Sequence, residues 1–139
     1  MILDDLVAAT KRRLTKEKAT ESLEQVKARA AKVPTKDPQQ VYDRFLAPGM
    51  HLIGEVKQAS PSKGQIASDF PYLDIAKDYD QNGVTAISVL TEPDYFKGDL
   101  RYLDEITDEV TVPVLRKDFV VDDYMLYQAK AAGASIVLL

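Results

Sequence analysis

Beyond residue 48 the chain alternates two patterns. Short runs of continuous apolar residues, around 51–57, 84–90, 113–119 and 134–139, read as strands. Between them the apolar residues space out to helical periods. Leu73, Ala76 and Tyr79 share one face of a helix over 72–82, expected to start after Asp69 and Pro71 and to stop at Gly83. Leu100, Leu103, Ile106 and Val110 form the stripe of a second helix capped by Asp99. Asp122 caps a third, which ends at Gly133. The stretches QNGVTAI (81–87) and AAGASIV (131–137) repeat one device: helix stop, glycine, strand start.

Strands this apolar, separated by helices, predict a parallel sheet covered by helices. Right-handed crossovers leave two arrangements, an open doubly wound sheet or a (β/α) barrel. No GxGxxG follows a strand, which weighs against the dinucleotide-binding form of the first. Polar residues at the C-terminal ends of strands one and three suit a barrel, whose active-site face is built there. A barrel takes eight strands and about 250 residues. The four strands here, the last stopping in an apolar run, read as the N-terminal half. Its open edges favour association with a second copy or with a C-terminal half.

Ahead of the strands, residues 2–30 read as helix, with Ile2, Leu3, Leu6, Val7 and Leu14 at helical spacing. Pro34 and Pro38 interrupt it, and residues 42–46 resume briefly before Pro48-Gly49 forces a turn. The expected organisation is a helical extension over 1–48 packed on a half-barrel over 49–139. Lys11-Arg12-Arg13 reads as a solvated helix face rather than an anion site, given Glu17, Glu21 and Glu24 nearby.

Composition narrows the classes. The 139 residues, 45% hydrophobic and 29% charged, suit one soluble globular domain. No apolar run approaches the roughly 20 residues of a membrane helix. Asp4 and Asp5 stand where an export signal carries bases. The absence of cysteine removes disulfides and thiolate chemistry and suits the cytoplasm. A net charge of −4 weighs against nucleic-acid or anionic-membrane partners. The single histidine, His51, bars a multi-histidine zinc site and reads as a surface or strand-cap residue.

The candidate chemistry sits at the strand ends. Glu55 and Lys57 share a face opposite Val56, and Leu115, Lys117 and Phe119 share a face of strand three. Two lysines and a glutamate facing inward are costly as packing and point to a site. Pairing of Lys117 with Asp118 or Asp122 at the rim accounts for one lysine but not for the set. Such lysines act as general acids or hold carboxylates and phosphates. Ser60-Pro61-Ser62-Lys63-Gly64 suits an anion-binding loop, although it is not a P-loop. Phe96 and Phe119 either line an aromatic pocket or pack under loops.

The segments IGEVKQASPSKG, AISVLTEPDYFKGDL and VPVLRKDFVVDDYMLYQAKAAGASIVLL resemble the N-terminal half of indole-3-glycerol phosphate synthase. ExKxxSPS and LxKDF together set it apart from another phosphosugar barrel such as phosphoribosylanthranilate isomerase. The resemblance implies a (β/α)8 TIM barrel acting in tryptophan biosynthesis without metal or organic cofactor. Its phosphorylated small-molecule substrate, 1-(2-carboxyphenylamino)-1-deoxyribulose 5-phosphate, undergoes ring closure, decarboxylation and dehydration. On the same resemblance Lys117 is the general acid at the substrate carbonyl. Lys57 contacts anionic groups and has acid work in dehydration, and Glu55 orients both lysines and the substrate. Ser60 binds beside the phosphate, and Phe96, Phe119 and Leu138 wall the aromatic ring. Glu92 and Pro93 receive no role. The family's glutamates on strands five and seven, its asparagine on strand six and most of its phosphate cradle are not among residues 1–139. The expectation is therefore little or no activity for these residues alone; the alternative is a non-catalytic half-barrel that self-associates.

Overall fold

A computed structural model describes residues 1–66 and 68–139. In chain order the elements are α1 (Ile2–Thr20), α2 (Leu23–Ala31), α3 (Pro38–Leu46), β1 (Ile53–Val56), β2 (Ala59–Ser60), β3 (Gly64–Gln65), α4 (Tyr72–Gln81), β4 (Ala86–Leu90), α5 (Pro93–Phe96), α6 (Leu100–Glu109), β5 (Val114–Lys117), α7 (Asp123–Ala131) and β6 (Ile136–Val137).

The main sheet is parallel, with strands in the order β1-β4-β5-β6. Alternation splits each strand between two faces. Val56, Ile87, Val89 and Val114 join Ala76 of α4 and Leu103 and Ile106 of α6 in one buried cluster. Arg116, on the same face as Val114, reaches the Met125 carbonyl and Gln128 of α7. All three helices therefore cover one face. A doubly wound sheet reverses its strand order and carries helices on both faces; neither holds here. The fold is that of the first four strands and the three helices between them of a TIM barrel, with the opposite strand face turned to the barrel interior.

That inner face is ordered by register. Glu55 lies opposite Ser88, Ser88 opposite Leu115, and Leu115 opposite Ile136. One rank nearer the mouth, Leu90 lies opposite Lys117.

Local chemistry explains the helix limits, including those the sequence reading misplaces. Asp99 and Asp122 cap α6 and α7 through Arg101 N and Tyr124 N, and Gly83 and Gly133 adopt φ of +81° and +83° at the stops, as expected. Residues 2–30 do not form one helix: Ser22 and Gln25 make a reciprocal capping box that starts a second one. Pro38 begins α3 rather than interrupting, because it occupies the first turn after the Asp37 cap, where no N–H is needed. Asp69 does not cap α4; Pro71 holds that position without a side-chain cap. The strands are shorter than the apolar runs, and the segment after β1 contains an antiparallel hairpin, β2–β3, that alternation did not reveal.

The three front helices wrap the body. Leu14 and Val26 pack with Tyr124 and Met125, laying α1 and α2 on α7. Tyr124 Oη donates to the Glu21 carbonyl at 2.8 Å, and Lys18 pairs with Asp122 at 2.7 Å. At the opposite end of the strands, Arg44 of α3 donates to the Thr85 carbonyl at 3.1 Å. His51 bridges the Ala47 carbonyl (2.7 Å) and Thr85 Oγ1 (3.1 Å), the strand-cap part expected of it. At the mouth, the segment after α5 folds back so closely that a Cβ on Gly98 would meet the Leu90 carbonyl oxygen at 2.4 Å. Only glycine lets α5 sit this near the end of β4. Among the described residues no helix is long and apolar enough to cross a membrane.

Candidate active site

Glu55 is the meeting point of the inner face. Lys117, two strands away on β5, donates from Nζ to Glu55 Oε2 at 3.0 Å, and Lys57 Nζ stands 3.3 Å from Oε1. Ser88, on the intervening strand, donates to Oε2 at 3.5 Å. The expected alternative partners of Lys117 are otherwise engaged: Asp118 with Arg13 and Arg116, Asp122 with Lys18. Burial pushes the Glu55 carboxyl up, but the hydrogen bond and charge of Lys117, then those of Lys57, outweigh it and hold the group below its ordinary value. The three side chains are about one-third exposed (30–37%), so the cluster opens to the barrel interior.

Beside it lies an apolar groove of about 380 Å³. Leu90, Phe96, Phe119 and Leu138 line it, α1 adds Leu3 and Val7, and Lys117 lies at its edge. The Phe96 and Phe119 ring centroids are 6.2 Å apart. Lys117 thus joins two environments, lining the groove while its amine bonds Glu55. A larger hollow of about 700 Å³ between α1 and α5 holds Arg12, Arg13, Lys16 and Asp94 but none of the three converging residues.

Ser60 is buried in the hairpin, and among the described residues its side-chain hydrogen bonds stay there: Oγ accepts from Lys63 N at 3.3 Å and lies 3.4 Å from Ser62 Oγ. The structure brings together Glu55, Lys57 and Lys117, and separately Phe96, Phe119 and Leu138. It does not join Ser60 to either group by a hydrogen bond. Among the described residues no group of three or more histidine, cysteine or carboxylate side chains is placed to hold a metal ion.

Sequence reasoning missed a buried network behind the groove. Arg13 is no solvated residue: Nη2 donates to both Asp118 carboxylate oxygens at 3.1 Å, and Nη1 lies 3.8 Å from Glu92. Arg116 and Thr91 also serve Asp118, at 3.2 and 2.7 Å. Burial raises the Asp118 carboxyl, yet Arg116, Arg13, Thr91 and the Phe119 amide more than reverse this and hold it low. Glu92, fully buried, takes the amides of Asp94, Tyr95 and Phe96 and so caps α5. Two signals were available. Arg13 follows Ala9 by four residues on the buried stripe of α1, and Glu92 precedes a proline at a helix start.

The family model described as "Indole-3-glycerol phosphate synthase" matches residues 3–139. Curated relatives carrying that name include one from Lacticaseibacillus paracasei, 59% identical over 139 residues, covering 100% of this chain and 54% of that protein. One from Lactiplantibacillus plantarum is 53% identical, with 100% and 53% covered. One from Endomicrobium trichonymphae is 48% identical, with 100% and 54% covered. The chain spans about half the length of the curated relatives it matches.

Proposed function

The chain belongs to the indole-3-glycerol phosphate synthase family, and we propose that the whole protein catalyses the reaction of that name in the cytoplasm. The substrate is 1-(2-carboxyphenylamino)-1-deoxyribulose 5-phosphate; the products are indole-3-glycerol phosphate, carbon dioxide and water. The observation that supports this most is the position of Lys117, which links an acid–base cluster to an aromatic-walled groove.

In this reading the substrate's aromatic ring lies between Phe96 and Phe119, and its ketone oxygen meets Lys117 Nζ. The ring carbon bearing the carboxylate attacks the ketone carbon as Lys117 protonates the developing alkoxide. Carbon dioxide then leaves and its bonding electrons restore the aromatic ring. The new hydroxyl departs as water, taking a proton from Lys57, while the adjacent methylene loses one to complete the indole. Glu55 holds both ammonium groups in place and offsets one of their two charges. Ser60 and its hairpin amides would face the phosphate.

On the family resemblance, the base for the methylene proton and most of the phosphate clamp lie outside residues 1–139. Fixed geometry between acid, base and clamp is what such a reaction needs. The fluorescence of the indole product measures the outcome. The whole protein is expected to turn over the substrate, residues 1–139 alone to show little or no turnover, and addition of a separately made C-terminal half to restore it. A whole protein inert toward this substrate would overturn the assignment, and no recovery on adding the C-terminal half would favour a non-catalytic half-barrel that self-associates. Residues 1–139 matching the whole protein's rate would overturn the division of labour.

A further inference from the structure

The two aromatic walls of the groove hang from different strands. Phe96 ends α5, whose amides at Asp94 (3.0 Å), Tyr95 (2.8 Å) and Phe96 (3.1 Å) all donate to the Glu92 carboxylate. Phe119 follows Asp118, whose Oδ1 accepts the Phe119 amide at 2.8 Å. Each ring's backbone is therefore held by a buried carboxylate. One guanidinium lies between the two. Arg13 grips Asp118 through Nη2 and faces Glu92 through Nη1, which is buried and makes no hydrogen bond among the described residues. Asp118 has a second cation in Arg116; among the described residues Arg13 is the one cation within 4.0 Å of Glu92. Leu3 and Val7, earlier on the same helix, line the groove itself.

We infer that Arg13 is a positioning residue for the aromatic end of the substrate: by tying the Glu92 and Asp118 loops together it sets the gap between Phe96 and Phe119. The inference rests on the synthase reading. An arginine suits this place because its planar fork addresses two carboxylates in fixed directions, whereas a lysine offers a single point of charge. Loosening the joint lets one wall drift and weakens binding of the ring before it touches the proton transfers at Lys117.

In the whole protein, Arg13→Lys is expected to raise KM by about tenfold while kcat stays within about threefold. Glu92→Gln can keep an oxygen for the Tyr95 and Phe96 amides while it loses the Asp94 bond and the charge facing Arg13, and it is expected to raise KM as well. Phe119→Leu removes one wall, so adding Arg13→Lys to it should change KM by less than about twofold. Lys18→Met, which cuts the pairing of the same helix with Asp122 away from the groove, should leave KM unchanged. Wild-type KM in Arg13→Lys or in Glu92→Gln overturns the inference. So does an undiminished Arg13→Lys effect in the Phe119→Leu background, or an equal rise in Lys18→Met. If the unsubstituted protein itself fails to turn over substrate, the synthase reading falls and takes this inference with it; an active parent with an indifferent Arg13→Lys removes the inference alone.

Discussion

Replacing Lys117 by methionine in the whole protein is expected to lower kcat/KM by about a thousandfold, the middle of the range for loss of a positioned general acid. The fold should survive. Methionine keeps an apolar stem in the groove, and the lost partner is an ion pair about one-third exposed, worth under about 1 kcal/mol. Glu55 retains Lys57 at 3.3 Å. Lys117→Arg should not rescue the rate, because a guanidinium holds its proton too firmly to deliver it to an alkoxide. Steady-state assays of indole formation, with thermal melting to check folding, decide the matter. A folded Lys117→Met protein within tenfold of the parent rate would remove Lys117 from the chemistry.

Asp118→Ala is expected to cost about 3–5 kcal/mol of stability, because it leaves the buried Arg116 guanidinium without the carboxylate that balances it and takes from the partly buried Arg13 the carboxylate it hydrogen-bonds. It also frees the Thr91 hydroxyl and the Phe119 amide. Asp118→Asn keeps the shape and loses the charge, and it carries a signature in pH. The folded-state pKa of Asp118 lies below the ordinary carboxylate value, so its contribution is complete above the unfolded pKa of about 3.9. That contribution is lost as the pH falls through the lower folded value. Asp118→Asn lacks it at every pH, so its stability should fall less steeply than the parent's between about pH 5 and 2. Glu55 acts with the same sign but more weakly, since solvent screens it. Urea denaturation across that range measures the difference; parallel acid limbs would contradict the account.

How much of this is legible in the sequence depends on the range of the interaction. Helix periods, the Asp99 and Asp122 caps and the glycine stops are local, and they read correctly. Strand alternation is also local, and it puts Glu55 and Lys57 on one face and Lys117 on the matching face of β5. That Lys117 meets Glu55 rather than Asp118 is a register fact, fixed when β4 pairs with both neighbours. Ser22 is misread because its capping role competes with a run of good helix formers and the cap wins; Pro38 is misread because a residue that breaks a helix interior suits its first turn. The Arg13–Asp118 contact joins positions 105 residues apart and has no periodic trace beyond the stripe on α1. A basic residue amid acids looks solvated until α1 is laid against the strand ends.

The most direct test is a crystal structure of the whole protein with an unreactive form of the substrate, its ketone reduced to an alcohol. The account predicts the aromatic ring between Phe96 and Phe119 and that hydroxyl within about 3.2 Å of Lys117 Nζ. A ring bound outside the groove, or a hydroxyl beyond the reach of Lys117 while that lysine stays on Glu55, would contradict it.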